Sequence, residues 1–259
     1  MEKIFEERAK NSRDGNNTQR TEELNHFVKL ENVCMEFQRR SSFWRPFSQK
    51  KFIRALSNIN YEISPNTFHC FFGRNGSGKT TLLRIISGVL LPTKGAVRRN
   101  AEKVVYITAN ERQFQERLTG YENLRFYARL SRDKLSEIIP ACERLELSSE
   151  IVGQPVWTYT TGMKLKLAVA RAFLGSPHVI LLDEPTRSID IAAKKALIAA
   201  LLEFRQRRDL SIIIAGHDIE LASLAESAFV LSRGNILWRG RPTSQSELEK
   251  IMENSEEER

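Results

Sequence analysis

The chain has 259 residues, 41% of them hydrophobic and 28% charged, and a formal net charge of +8. That is an ordinary globular balance, long enough for one or two domains of about 150 residues each. No run reaches the ~18–20 consecutive apolar residues that span a bilayer, and the charged start Met1–Arg8 has no apolar signal core. The three cysteines, Cys34, Cys70 and Cys142, are scattered without a CxxC pair. This argues against a zinc ribbon or a disulfide framework and sets the expectation of a reducing, cytoplasmic setting. The basic excess favours anionic surroundings, whether nucleotide, nucleic acid or phospholipid, without choosing among them.

Residues 1–26 are polar and charge-mixed, with a disorder-like run at Asn11–Thr18, and read as a tail. Phe27–Val33 alternates and predicts a strand. Phe37 follows it, and an aromatic there suits either stacking on an adenine ring or a place at the edge of the core. Residues 39–54 hold six basic and four aromatic side chains and no acid. Pro46 argues against one continuous helix through them. The mixture suits an anionic membrane interface or nucleic acid, and equally a solvated loop with its rings folded inward. Ala55–Ile63 predicts a second strand, and Ser64–Thr67 a turn.

An apolar run, Cys70-Phe71-Phe72, then leads into Gly73-Arg74-Asn75-Gly76-Ser77-Gly78-Lys79-Thr80, followed by Thr81 and the helical spacing of Leu82–Ile86. Strand, glycine-rich loop and helix together make a phosphate site. The glycines let backbone N–H groups turn around a polyphosphate, and the helix N-terminus adds its dipole. Lys79 is expected to reach the β- and γ-phosphates, and the Thr80 hydroxyl to hold Mg²⁺. A nucleoside triphosphate is expected there.

Beyond a turn at Pro92–Gly95, Ala96–Arg98 and Lys103–Ile107 predict short strands. From Leu118 to Leu174 the pattern is helical, including Glu122–Leu130, Lys134–Leu147 and Met163–Leu174, which predicts a helical subdomain inserted into an α/β core. His178–Leu182 and Leu210–Ala215 predict strands buried on both faces. An amphipathic helix lies between them at Ile191–Arg208. Ala228–Leu231 and Ile236–Trp238 form a hairpin around Arg233-Gly234-Asn235, and residues 244–259 read as a C-terminal tail.

Asp183 and Glu184 end the first of these buried strands, so both carboxylates fall at the sheet's C-terminal edge beside the phosphate loop. Asp183 is expected to hold Mg²⁺ and Glu184 to polarise an attacking water, a general-base role worth about 10²–10⁴ in rate. His217 ends the next strand, where it can contact the γ-phosphate and that water.

With these residues in order, the chain resembles the nucleotide-binding subunit of ABC transporters over about residues 27–243. Tyr159-Thr160-Thr161-Gly162-Met163 is similar to the family signature, Val179–Glu184 to its Walker B strand with the catalytic Glu, Ser188-Ile189-Asp190 to its D-loop, and His217 to its switch histidine. The resemblance implies a P-loop NTPase (RecA-like) α/β core with an inserted helical subdomain and a small antiparallel β region. It implies two copies sandwiching two ATP molecules head to tail, with Thr160, Gly162 and Asp190 of one copy meeting the nucleotide held by the other. A homodimer suffices, because every catalytic position is filled. The implied partners are integral membrane permease subunits, and the implied location is the cytoplasmic face of the membrane.

Two departures stand out. The family's Q-loop glutamine falls at Ala109, with Asn110 and Glu111 as neighbours. The signature carries Thr161 and Met163 where Gly and Gln are usual. Tyr-Thr-x-Gly-Met signatures resemble those of ABC-2-type exporter ATPases. Glu111-Arg112 and Arg117–Leu124 resemble a branch of the same group, and the insertion before Ala55 and Gln154-Pro155-Val156 resemble glycan and teichoic-acid export cassettes. These features favour export over import and stop short of a substrate, for which a lipid-linked glycan, lipid or drug is the candidate class. The alternative is a soluble ABC ATPase acting on nucleic acid or ribosomes, whose usual forms carry two cassettes or a long coiled-coil insertion that this chain lacks.

Overall fold

The structure is a computed structural model and describes residues 26–39, 51–108, 113–187, 189–207, 209–241, 246–247 and 250–251. The polar tail up to residue 25, positions 40–50 of the basic–aromatic stretch, Ala109–Arg112, Ser188 and most of the C-terminal tail lie outside the described residues.

Two sheets form. In the smaller one, β1 (Val28–Arg39) lies between β2 (Lys51–Ile63) and β4 (Lys94–Arg99), antiparallel to both. The larger sheet has the order β5 (Val104–Thr108), β6 (Val179–Asp183), β7 (Ser211–Gly216), β3 (Phe68–Phe72), β8 (Ser227–Ser232) and β9 (Asn235–Gly240). Its neighbours run parallel except for the β8–β9 hairpin. Arg233 and Gly234 make that hairpin turn with φ of 46° and 81°, the positive values that tight hairpins need.

The central strands β3, β6 and β7 are buried at every position. Their alternate residues face two different cores. Ile180, Leu182, Ile212 and Ile214 pack with the helical region, α2 (Gly120–Ser131), α3 (Ile138–Glu143), α4 (Ser149–Val152) and α5 (Thr161–Leu174). Leu181, Ile213, Phe71 and Phe229 pack with α1 (Lys79–Ser87) and the inner face of the small sheet. Both faces are therefore apolar, which is why these strands read as continuous apolar runs. Each fully buried Leu, Ile or Phe contributes about 1.5–3 kcal/mol over its exposed state. Cys70 and Cys142 are buried free thiols pushed up to about 12 by burial, so both are inert packing groups.

Two sequence expectations need correction. The first two strands extend beyond Val33 and start before Ala55, because Phe37 pairs with Ile53 and Gln38 with Phe52 in one long ribbon, braced by an Arg54–Glu36 ion pair of 3.0 Å. The single helix expected over Lys134–Leu147 is broken into a 3₁₀ turn at Leu135–Glu137 and the short α3. Glu146 adopts φ 57°, and Leu147 N–H turns back to the Cys142 carbonyl, so that Leu145 and Leu147 both reach the core. After β7, α7 (Ile219–Leu224) follows, and α6 (Ile191–Arg207) precedes β7. Among the described residues, no helix is long and apolar enough to cross a membrane.

Candidate nucleotide site

The parallel order places the C-terminal ends of β3, β6 and β7 side by side. The residues that follow each strand, Gly73–Thr80, Glu184 and His217, are therefore brought to one edge, the place where open α/β sheets bind ligands. Gly78 is the N-terminal boundary of α1 with φ 111°, and a Cβ there would lie 2.6 Å from the Ala55 carbonyl oxygen. Only glycine fits at that point of the loop.

Lys79 is 5% exposed, and its Nζ donates to the carbonyls of Gly73 (2.6 Å) and Arg74 (3.1 Å) and lies 3.5 Å from Glu184 Oε1. Thr80 Oγ1 donates to Asp183 Oδ1 at 3.1 Å. The other Asp183 oxygen accepts the Tyr106 hydroxyl at 2.8 Å. Burial, followed by the carboxylate beside it, pushes that phenol up to about 12, so it remains a donor at any physiological pH. Glu184 takes φ 52°, unusual for a side chain of its size, while its N–H continues the ladder to the Ala215 carbonyl. Such strain, about 1–3 kcal/mol, persists where the surroundings over-determine it and clusters at functional sites. Glu184 Oε2 lies 2.9 Å from His217 Nδ1. One network thus runs from Thr80 and Asp183 on one branch, and from Lys79, Glu184 and His217 on the other, within a single loop cluster.

The signature-like segment sits elsewhere. Tyr159 is buried, its hydroxyl donates to the Ile151 carbonyl at 2.7 Å, and it anchors the segment in the helical core. Thr160 is exposed and caps α5, its hydroxyl accepting from Met163 N–H at 3.3 Å. With Thr161, Gly162, Ile189, Asp190 and Ala193, it lines a cavity of about 490 Å³ that no phosphate-loop residue borders. Asp190 is exposed and accepts from Ala193 N–H at 2.7 Å at the start of α6. Phe37 stands at the outer part of β1, 41% exposed, opposite Ile53. Arg74 and Asn75 are exposed at the tip of the loop, Gly76 beside them has open space around it, and Thr81 is half-buried in α1.

Sequence reasoning missed three side chains. Tyr106 looked like an ordinary strand aromatic, and only the β5–β6 pairing brings its hydroxyl to Asp183. Gln113 follows the described end of β5 and is fully engaged. Its amide nitrogen donates to the Thr108 carbonyl, and its Oε1 accepts from Arg171 of α5 at 2.9 Å. Arg171 also stacks over Phe114 and Tyr127, at 5.3 and 4.7 Å from the ring centroids. The third is Lys194, considered below.

A parallel P-loop core, a separate antiparallel sheet and a helical region ending in a capped, glycine-containing helix start define an ATPase of the ATP-binding cassette fold. The ABC transporter family model matches residues 56–187, more than half of the chain, and the chain belongs to that family. Solved structures of the same fold include the dimeric ATP-binding cassette MJ0796 in a post-hydrolysis state bound to ADP and Pi, with a TM-score of 0.72 and 22% identity over 83% of this chain and 98% of that one. CbiO1 from Clostridium perfringens, part of the ABC transporter complex cbiONQ, has a TM-score of 0.71 and 21% identity over 89% and 94%. A putative metal-chelate type ABC transporter in an inward-facing conformation has a TM-score of 0.70 and 17% identity over 89% and 90%.

ABC ATPases bind ATP and use Mg²⁺ generally, and the residues here fit both. Ser77 Oγ is a buried polar atom with no hydrogen-bond partner among the described residues, as suits a loop whose remaining donors are left for a bound anion to accept. Among the described residues, no three His, Cys, Asp or Glu side chains form a metal cage. Thr80 and Asp183 instead offer two oxygens, the sparse set that suits Mg²⁺, which keeps several waters and binds through one or two protein groups plus phosphates.

Proposed function

We propose that this chain is the ATP-hydrolysing subunit that dimerises and powers a separate membrane-spanning ABC exporter, with the cassette spanning about residues 27–243. The observation that carries the reading is the assembly of Lys79, Asp183, Glu184 and His217 at one sheet edge, while Thr160–Gly162 face a separate cavity with Asp190. One chain thus presents two half-sites with no lining residue in common, an arrangement that two copies can complete.

In this reading the phosphate loop, Gly73 to Thr81 with Arg74, Asn75, Gly76, Ser77 and Gly78, cradles the triphosphate, and Phe37 stacks on the base. Lys79 exchanges its loop carbonyls for β- and γ-phosphate oxygens. Thr80 and Asp183 hold Mg²⁺, which neutralises phosphate charge when bound. Glu184 accepts a proton from the attacking water, and His217 orients that water and the γ-phosphate. Thr160, Gly162 and Asp190 serve the nucleotide on the partner copy, where the α5 N-terminus offers amides and its dipole. ATP-driven closure and reopening of the dimer is a population shift that a permease can use.

Export of a lipid-linked glycan, lipid or drug is supported by the Tyr159–Met163 signature and the basic–aromatic insertion at 39–54, with the protein peripheral at the cytoplasmic membrane face. The insertion is assigned to the membrane side, touching anionic headgroups or the permease. Purification of the full chain from its own membranes tests this. Recovery with a multispanning protein, reduced when the six basic residues of 39–54 are neutralised while ATP affinity is unchanged, is the expected result. Absence of any membrane partner, together with a steep salt-dependent affinity for RNA or DNA, would replace it with the soluble alternative.

A further inference from the structure

Lys194 lies in the first turn of α6, and the bonds it makes exceed what a surface lysine needs. Its side chain is 14% exposed. Its Nζ donates to Asp218 Oδ1 at 2.8 Å and lies 2.6 Å from both Asp218 Oδ2 and Glu220 Oε2. Its backbone N–H donates to the Asp190 carbonyl at 3.0 Å, and Ala193 N–H donates to the Asp190 carboxylate. Asp218 directly follows His217 in the chain and caps α7 by accepting from Leu221 N–H at 3.3 Å. Burial pushes the Asp218 carboxyl up, but the Lys194 ammonium foremost, with the helix cap, holds it below its usual range.

The two ends of this cluster belong to different half-sites. Ala193 and Asp190 line the cavity shared with Thr160 and Gly162. His217 lies 2.9 Å from Glu184 at the phosphate-loop site. Asp218 needs no lysine to cap its helix, so the added salt bridge is a link between elements. We propose that Lys194 is a positioning residue for His217, tying the helix start that faces the partner copy to the loop that aims the histidine within its own copy. The inference rests on the composite-site reading above. Docking of a second copy at the Thr160 cavity displaces or fixes the first turn of α6. Lys194 carries that placement to Asp218, and His217 moves with its neighbour. A mispositioned catalytic group loses rate without losing substrate affinity.

The test compares Lys194→Met and Lys194→Arg in the full chain, with a fluorescent ATP analogue for affinity and phosphate release for turnover, rates being divided by the number of ATP-binding sites. For Lys194→Met the expected result is wild-type affinity with kcat per site lowered by about ten- to a hundredfold. Lys194→Arg, which keeps the charge and reach, recovers most of that loss. Wild-type turnover per site in Lys194→Met overturns the proposal, as does an equal loss of affinity and rate, or failure of the arginine to rescue. Should the methionine variant not fold, Lys194→Gln replaces it with the same expectations. A wild-type chain that binds no ATP defeats the composite-site reading itself, an outcome distinct from all of these.

Discussion

The two proposed half-sites are built on different principles. At the sheet edge, every candidate side chain has a partner within the site: Lys79 its own loop carbonyls and Glu184, Asp183 the hydroxyls of Thr80 and Tyr106, Glu184 the His217 ring. At the start of α5, by contrast, the Thr160 side chain is bonded, among the described residues, only to its own helix, and the cavity it lines mixes apolar Leu147, Ile151 and Ile189 with charged Glu146 and Lys166. The glycines differ in the same way. A side chain on Gly78 would collide with the Ala55 carbonyl at 2.6 Å, whereas one on Gly162 would meet Ile189 at 3.5 Å and Ala193 at 3.7 Å, ordinary contacts. Gly78 is required by this chain's own fold. No contact among the described residues requires Gly162, which fits the proposal that its missing side chain leaves room for the partner copy's nucleotide.

That contrast can be broken most sharply at Glu184. Glu184→Gln keeps the contact geometry but removes the base, and turnover should fall by about 10²–10⁴ while ATP affinity persists and ATP-bound dimers accumulate on size exclusion. Wild-type phosphate release from this variant would remove Glu184 from the chemistry. Gly162→Ala sharpens the glycine comparison. Alanine favours a helix by up to about 1 kcal/mol, so thermal stability should hold or rise and the single chain should bind ATP normally. Dimer-dependent turnover should nonetheless drop by at least about tenfold. If the alanine variant instead melts early, Gly162 belongs with Gly78.

Smaller effects are expected from the supporting groups. Tyr106→Phe deletes one hydrogen bond to Asp183, worth about 0.5–1.5 kcal/mol. The Mg²⁺ concentration for half-maximal nucleotide binding should rise about three- to tenfold, with metal-free binding unaltered. An unchanged Mg²⁺ requirement would make the tyrosine a packing residue. Thr160→Val removes the α5 cap and should cost about 1 kcal/mol in chemical unfolding, with no change in the ATP affinity of the isolated chain. A loss of that affinity would mean that the two half-sites are not independent.

The sequence was legible wherever a local rule held. Gly73–Thr80 demands one backbone geometry, and the unbroken run Val179–Leu182 can be buried only between two covered faces, so the acids after it had to emerge at the strand end. The last helix of the helical region was expected from Met163, whereas it starts at Thr161 behind the Thr160 cap, because the spacing of apolar residues does not mark the capping position. Lys134–Leu147 was misread because apolar spacing cannot reveal that Glu146 turns left-handed to send two leucines into one core. The ribbon Phe37–Ile53 was missed because exposed pairs leave no burial pattern to read.

The sequence by itself determined the phosphate loop, the buried strands, and the identity and order of Lys79, Asp183, Glu184 and His217, because each depends on neighbours within a few residues. Only the tertiary structure decided which side chains meet across the chain. Tyr106 reaches Asp183 because β5 pairs with β6, and Lys194 reaches Asp218 because α6 packs beside the end of β7. Gln113 bridges β5 to Arg171 of α5. The Tyr106–Asp183, Gln113–Arg171 and Lys194–Asp218 contacts join residues 24 to 77 positions apart, distances over which no periodicity acts and only the packing of whole elements fixes who touches whom.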